Sequence, residues 1–382
     1  MSQRYFDHED LAMLKEVLDA GCPASYEGKM TPRLQEAFTK AVGAKHAVGV
    51  NSGMSALHAC VAAADASTGD EVICDPMVQF GSAAVLYNNA VPVYADVNYD
   101  THLIDPDSIR ARITERTKAI LCTHLWGVPC DMDEIMAIAR EHNLVVIEDN
   151  AHALFAEYKG RQTGTLGHVA EFSFQIAKHL GVGDGGMATT NDDFLHERLL
   201  AYSGIRNLCT FPELMWNYRM SELVAAVALV QLGRARKYVE QAVANSRIYD
   251  EAVRDIRWIR TQTVPPDRTS ACHIWAGVFE GDKAGLDRET FAGALEKVKC
   301  QKMFGYIQYP AYLHDVIRKP LAYKRGCPIY CPHYKGALRY QAGACPVAED
   351  LMPRLILIGT VGTPDEHKRN AEKLRRVAEE LG

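Results

Sequence analysis

The sequence predicts an α/β fold: a large domain with a mostly parallel sheet covered by helices on both faces, followed by a smaller α+β domain. Two observations carry this prediction. Between residues 45 and 148, short apolar runs alternate regularly with amphipathic stretches, the pattern of repeated β-α units. The chain also has 382 residues with 48% hydrophobic content, enough to bury a large core and to divide in two.

Residues 1–44 read as a helical arm. Leu11, Leu14 and Leu18 have helical spacing, as do Leu34, Phe38 and Val42, and a loop over 21–28 separates the two stretches. Runs 46–50, 71–76, 91–97, 118–124 and 144–148 read as strands. Helices are expected from Asn51 to about Ala64, from Met77 through Tyr87, over 106–113 and over 132–142. Residues 169–174 and 187–190 resume an extended pattern, and 192–203 reads as a helix. A long Ala- and Leu-rich helix starts near Ser221, with Leu229, Leu232 and Tyr238 on its faces, and bridges to the smaller unit. There, 245–255 continues helically, 272–279 alternates as a half-buried strand, Asp287 introduces a helix over 288–297, and 364–381 is a charged amphipathic helix. The expected domains are 1–44, 45–240 and 241–382.

Composition narrows the function. A net charge of −6 gives no reason to expect nucleic-acid binding. No apolar run approaches membrane-spanning length, and residues 1–7 lack a signal-peptide core. Eleven cysteines, odd in number and scattered as at Cys60, Cys74 and Cys122, suit a reduced cytoplasmic chain. Cys327, Cys331, His333 and Cys345 are metal-ligand types, but they lack paired CxxC spacing and sit among prolines, so no metal is expected.

The chemistry concentrates in residues 171–186. An aromatic strand reaches Lys178 and then turns through four glycines. A lysine just past a buried strand loses hydration, its neutral amine becomes available, and it can form a Schiff base with a carbonyl. A surface lysine in a glycine-rich loop is the plain alternative. A dinucleotide fingerprint is disfavoured because no amphipathic helix follows Gly186. Asp149 gives the lysine its context. It follows the apolar run 144–147 at a strand's carboxyl end, the edge where open α/β sheets bind ligands. A carboxylate there can pair with a pyridine nitrogen and keep the ring an electron sink.

Asp149, Lys178 and the intervening Ser173 together resemble the pyridoxal 5'-phosphate (PLP) aminotransferases of the DegT/StrS family, over most of the chain. The resemblance implies a fold-type-I transferase with Lys178 and Asp149 as its catalytic pair. It places Ser52, Gly53 and Met54, a turn opening a helix, at the cofactor phosphate; Met54 departs from the usual Thr or Ser. It places the Phe80 ring on the pyridine face, His152 at the ring oxygen and the Ser173 hydroxyl at the phosphate. Asp184 stands where many members have Glu. The second match, Trp216-Asn217-Tyr218-Arg219, implies that Asn217 reaches the phosphate held by a neighbouring subunit, hence a homodimer with shared sites. Members open with an arm that wraps the partner or covers the site.

The implied reaction moves an amino group from L-glutamate or L-glutamine to a keto-sugar. A nucleotide-linked acceptor would need cations for its diphosphate, and Arg318, Lys319, Lys324 and Arg325 cluster in a divergent segment. A free keto-cyclitol would be indifferent to them. A dehydratase of the same family would replace the lysine, and a non-catalytic member would more readily have lost Lys178 or Asp149. Both are present.

Overall fold

Short polar side chains start several helices of the larger sheet, and apolar β-branched runs form its strands. A computed structural model describes residues 6–21, 27–204, 213–303, 307–319 and 326–382. Part of the 21–28 loop, the segment after Gly204, Tyr306, Lys324 and Arg325 lie outside the described residues.

Two helices, α1 (His8–Asp19) and α2 (Met30–Val42), precede the sheet. Strands β1 (His46–Val50), β2 (Glu71–Cys74), β3 (Val91–Tyr94), β4 (Thr117–Thr123) and β5 (Val145–Asp149) then alternate with α3 (Gly53–Ala63), α4 (Gln79–Tyr87), α5 (Pro106–Arg112) and α6 (Met132–His142). Ser52 caps α3 by accepting from the Ser55 N–H, and Asp105 caps α5 ahead of Pro106. A hairpin, β6 (Glu157–Tyr158) and β7 (Arg161–Gln162), leads to β8 (Val169–Ser173) and β9 (Gly186–Thr190). The seven-stranded sheet has the order β1-β9-β8-β5-β4-β2-β3. Only β9 runs against its neighbours β1 and β8; the remaining pairs are parallel. Every residue of β2, β3 and β9 is buried, as expected for strands covered on both faces.

Helix α7 (Asp193–Tyr202) and the 32-residue α8 (Glu222–Val253) follow. The boundary read at 240/241 falls inside α8. The arm packs on this helix. Arg234 pairs with Asp7 at 2.8 Å and Asp10 at 3.1 Å. Buried Glu222 accepts from the N–H groups of Met30 (2.6 Å) and Thr31 (2.9 Å), supplying the start of α2 with the anion that its own N-cap lacks.

The remaining elements are β10 (Ile259–Thr261), β11 (Arg268–Thr269), β12 (Ile274–Phe279), α9 (Arg288–Lys297), α10 (Asp315–Arg318), α11 (Pro346–Leu351), β13 (Leu355–Gly359) and α12 (Pro364–Leu381). β10, β12 and β13 form an antiparallel sheet. Its aromatic core includes Trp258, Trp275, Phe279 and Phe291, closed by Leu374 of α12. β11 pairs with β6, which with β7 makes a separate three-stranded sheet. Among the described residues, no helix is long and apolar enough to cross a membrane.

Candidate active site

The carboxyl ends of β5 and β8 form the floor. Asp149 ends β5 and is 3% exposed; Glu171 of β8, its partner in register, is 2% exposed. Asp149 Oδ1 accepts from the Ala151 N–H at 3.0 Å. Two residues along β8, on the same face as Glu171, lies Ser173. Helix α3 opens directly against this face. A Cβ added to Gly53 would lie 2.5 Å from Glu171 Oε1 and 2.8 Å from Ser173 Cβ. Gly186 meets the same turn from β9, where a Cβ would fall 2.6 Å from the Ser52 carbonyl oxygen and 2.8 Å from Gly53 N. Ser52, Gly53, Met54 and Ser173, read from separate stretches of sequence, therefore meet at one helix N-terminus, where backbone N–H groups lack helical partners.

Lys178 lies in the turn after β8, where its N–H donates to the Gln175 carbonyl at 2.8 Å. Its side chain is half-buried at a cavity wall. Burial lowers the ammonium's pKa below the usual lysine value, and the neighbouring carboxyl pair of Asp149 and Glu171 acts in the other direction. The result is a lysine whose neutral amine is easier to reach than in water. Burial also drives His152 well below the ordinary histidine range, assisted by the charges of Lys178 and His179. Its neutral ring stacks between Trp126 (centroids 5.6 Å, 14°) and His273 (4.6 Å, 29°). Buried His152 Nδ1 has no hydrogen-bond partner among the described residues. Beside the floor, Asp75 accepts from Thr123 Oγ1 at 2.6 Å and from the N–H groups of Met77 and Val78. Burial, reinforced by the charge of Asp149, raises it to about 6.

The cavity measures about 1030 Å³. Phe80, His152 and Lys178 line it on the side of the larger sheet; Met303, Leu357 and Gly359 line it on the side of the smaller one. The Phe80 ring is 53% exposed there. No arginine lines it among the described residues; Lys302 does, with its side chain 8% exposed and paired with Glu296 at 3.5 Å.

Other residues singled out in the sequence lie apart. Asn217 and Asp184 are exposed and do not line the cavity. Arg318 and Lys319 both bind Asp315, at 3.1 and 2.6 Å, on the surface. Among the described residues, no group of three or more His, Cys, Asp or Glu side chains is arranged to hold a metal ion. Sequence reading passed over Glu171, Trp126, His273 and Lys302. Only Glu171 left a usable signal: a lone charge in an apolar strand, two residues from Ser173.

The aminotransferase from Psychrobacter cryohalolentis superposes on this chain with a TM-score of 0.85 over 100% of both chains, at 26% identity. The fold is thus that of the fold-type-I PLP transferases. The profile of the DegT/DnrJ/EryC1/StrS aminotransferase family matches residues 4–330, and the chain belongs to that family. It is an enzyme, an aminotransferase. The spore coat polysaccharide biosynthesis protein SpsC of Bacillus subtilis (strain 168) is 33% identical over 352 residues, 86% of this chain and 88% of its own. GDP-perosamine synthase of Caulobacter vibrioides is 42% identical over 217 residues, covering 56% of this chain and 58% of its own.

Proposed function

We propose that the chain binds PLP at Lys178 and transfers the amino group of L-glutamate or L-glutamine to the keto group of a nucleotide-linked sugar. The carrying observation is the half-buried Lys178 at the cavity wall, under the influence of the Asp149 and Glu171 carboxyl groups. What the pocket lacks suits the cofactor. Phe80 is largely exposed, His152 Nδ1 is buried without a partner among the described residues, and the first N–H groups of α3 lie ahead of its helical hydrogen bonds. Those features fit a flat ring, its oxygen and its phosphate, while Asp149 fits the ring nitrogen.

When bound, PLP supplies an electron sink for carbanion chemistry. With the cofactor bound, Asp149 would hold the proton of the ring nitrogen. Once the donor's amine has displaced it, Lys178 Nζ would move the proton from the donor's α-carbon to the cofactor's C4′, and in the second half-reaction would return one to the carbon that was the acceptor's ketone. The stacked Trp126, His152 and His273 fix that wall and restrict water. The acceptor assignment draws on cavity size, at the top of the usual range for small-molecule sites, and on the GDP-sugar named for one relative. A homodimer in the cytoplasm, with 45–240 and 241–382 as its two main domains, completes the proposal.

The test is mass spectrometry after incubating the PLP-loaded protein with ¹⁵N-labelled donor and a panel of ketones. Label in an amino sugar attached to a nucleotide is the expected product. Label only in a free keto-cyclitol product would replace the acceptor assignment, and no transfer from either donor to any ketone would refute the reading.

A further inference from the structure

Glu171 has no task in the reaction just described, yet it occupies the floor. Val169, Ala170 and Phe172 of the same strand are apolar and buried, and a glutamate is almost never this buried without a partner. Glu148, one strand away, shows what full pairing looks like: its oxygens accept from Gly164, Leu166 and Gly167 N–H groups and pair with His124 at 2.9 Å. Glu171 has no such set. Its Oε2 is buried without a hydrogen-bond partner among the described residues, and Oε1 lies where a Cβ on Gly53 would come within 2.5 Å of it.

The groups facing it are few. From β5 comes Asp149, and beyond that strand the backbone of Ala151; from the turn after β8 comes Lys178; from α3 come Gly53 and the buried Cys60; from β9 its register partner is Ala188. Asp149 is an acceptor like itself, so a hydrogen bond between the two requires a proton on one of them. Two ionised carboxylates facing each other in a dry floor would repel and lack solvent.

We propose that Glu171 is a positioning residue that holds a proton and donates it in a hydrogen bond to Asp149, making the two a one-proton dyad at the floor of the site. Burial and the charge of Asp149 push Glu171 well above the usual carboxylate range, and the opposing pull of Lys178 does not reverse that direction. The proposal rests on Asp149 serving the ring nitrogen. A carboxylate that receives a hydrogen bond is a weaker proton acceptor. Asp149 so engaged would leave the proton on the nitrogen of a bound ring, where the sink is strongest, and the dyad presents one negative charge instead of two.

The test uses the full chain with and without PLP, as wild type, Glu171→Gln and Glu171→Leu. Infrared difference spectra of the PLP-free protein at neutral pH should show the C=O stretch of a protonated carboxyl, shifted in D₂O and lost in Glu171→Gln. In the loaded protein, the pH midpoint of the cofactor's visible absorbance should stay near wild type in Glu171→Gln, which keeps a donor. In Glu171→Leu it should move by about one pH unit, with PLP bound about tenfold more weakly. Absence of the protonated-carboxyl band, or Gln and Leu behaving alike, would overturn the dyad. If Leu fails to fold, the band and the Gln variant still decide. Because the infrared measurement needs no cofactor, failure of PLP to load on Lys178 would count against the proposed function alone.

Discussion

Glu148 and Asp149 are consecutive in β5, and strand alternation sends their side chains to opposite faces of the sheet. Glu148 is saturated by three backbone N–H groups and the buried His124. Asp149 accepts a backbone hydrogen bond from Ala151 and faces the lysine side. The first is built to hold the chain; the second keeps capacity for a ligand. Glu148→Ala should therefore cost about 3–5 kcal/mol of stability, because it strands a buried histidine and three donors. Asp149→Asn should leave the melting temperature nearly unchanged and reduce turnover by about a hundredfold or more. Denaturant unfolding and steady-state kinetics of both variants check the pair, and equal effects on stability would contradict it.

How far the sequence carried this picture depended on local signals. Helices α6, α9 and α12 end where they were read, because their apolar spacing is clean and Asp287 caps α9 through the Thr290 N–H. The β-α alternation from β1 to β5 followed for the same reason. β13 went unread although its run Leu355-Ile-Leu-Ile is apolar, since periodicity cannot separate a short buried strand from a buried helix segment. The two-residue strands β6, β7 and β11 carry no pattern at all. At the site, Phe80, His152 and Lys178 do line one cavity, and the Ser52 turn does meet Ser173. Trp126 escaped notice because its place depends on a left-handed backbone (φ 62°), a conformation that nothing in a tryptophan announces. Lys302 escaped because tertiary packing alone brings it to the wall.

Asp75 should impose a pH dependence on stability. Its carboxyl is raised from 3.8 to about 6 in the fold, chiefly by burial. The native state thus holds a proton that the unfolded chain has released. The associated stabilisation is fully present below the unfolded value and is lost as pH rises through about 6, amounting to about 3 kcal/mol at most. Urea unfolding from pH 4 to 7 should show this fall for the wild type relative to Asp75→Asn, whose amide does not titrate. Parallel profiles for the two proteins would rule it out.

The acceptor's charge should be felt by Lys302 more than by Arg318. Arg318 and Lys319 share Asp315 on the surface, away from the cavity, whereas Lys302, paired with Glu296, lies at the cavity wall. Lys302→Met should raise the acceptor KM about tenfold, while Arg318→Gln stays within about twofold. The donor half-reaction, followed spectroscopically under single-turnover conditions, serves as control. A defect of Lys302→Met confined to that half-reaction would put Lys302 at the donor's carboxylate instead.

Asn217 is expected to serve the site of another subunit. It is exposed and outside its own chain's cavity, yet it is held firmly: the Asn51 N–H donates to the Tyr218 carbonyl at 2.8 Å, Val50 bridges to Arg219, and Arg219 donates to the Gly204 carbonyl at 2.8 Å. A polar residue fixed on the surface next to the α3 turn cannot fold back into its own pocket, but a second copy docked there could use it. Lys178→Ala and Asn217→Ala proteins should each be weak alone, the first nearly inactive. In a hybrid, one site carries both defects and the other neither. Random mixing makes half of the dimers hybrids with one good site of two, so activity should recover to about a quarter of wild type. Mixed samples that show only the average of the two parents, or a fully active monomer on sedimentation, would return Asn217 to a purely structural role.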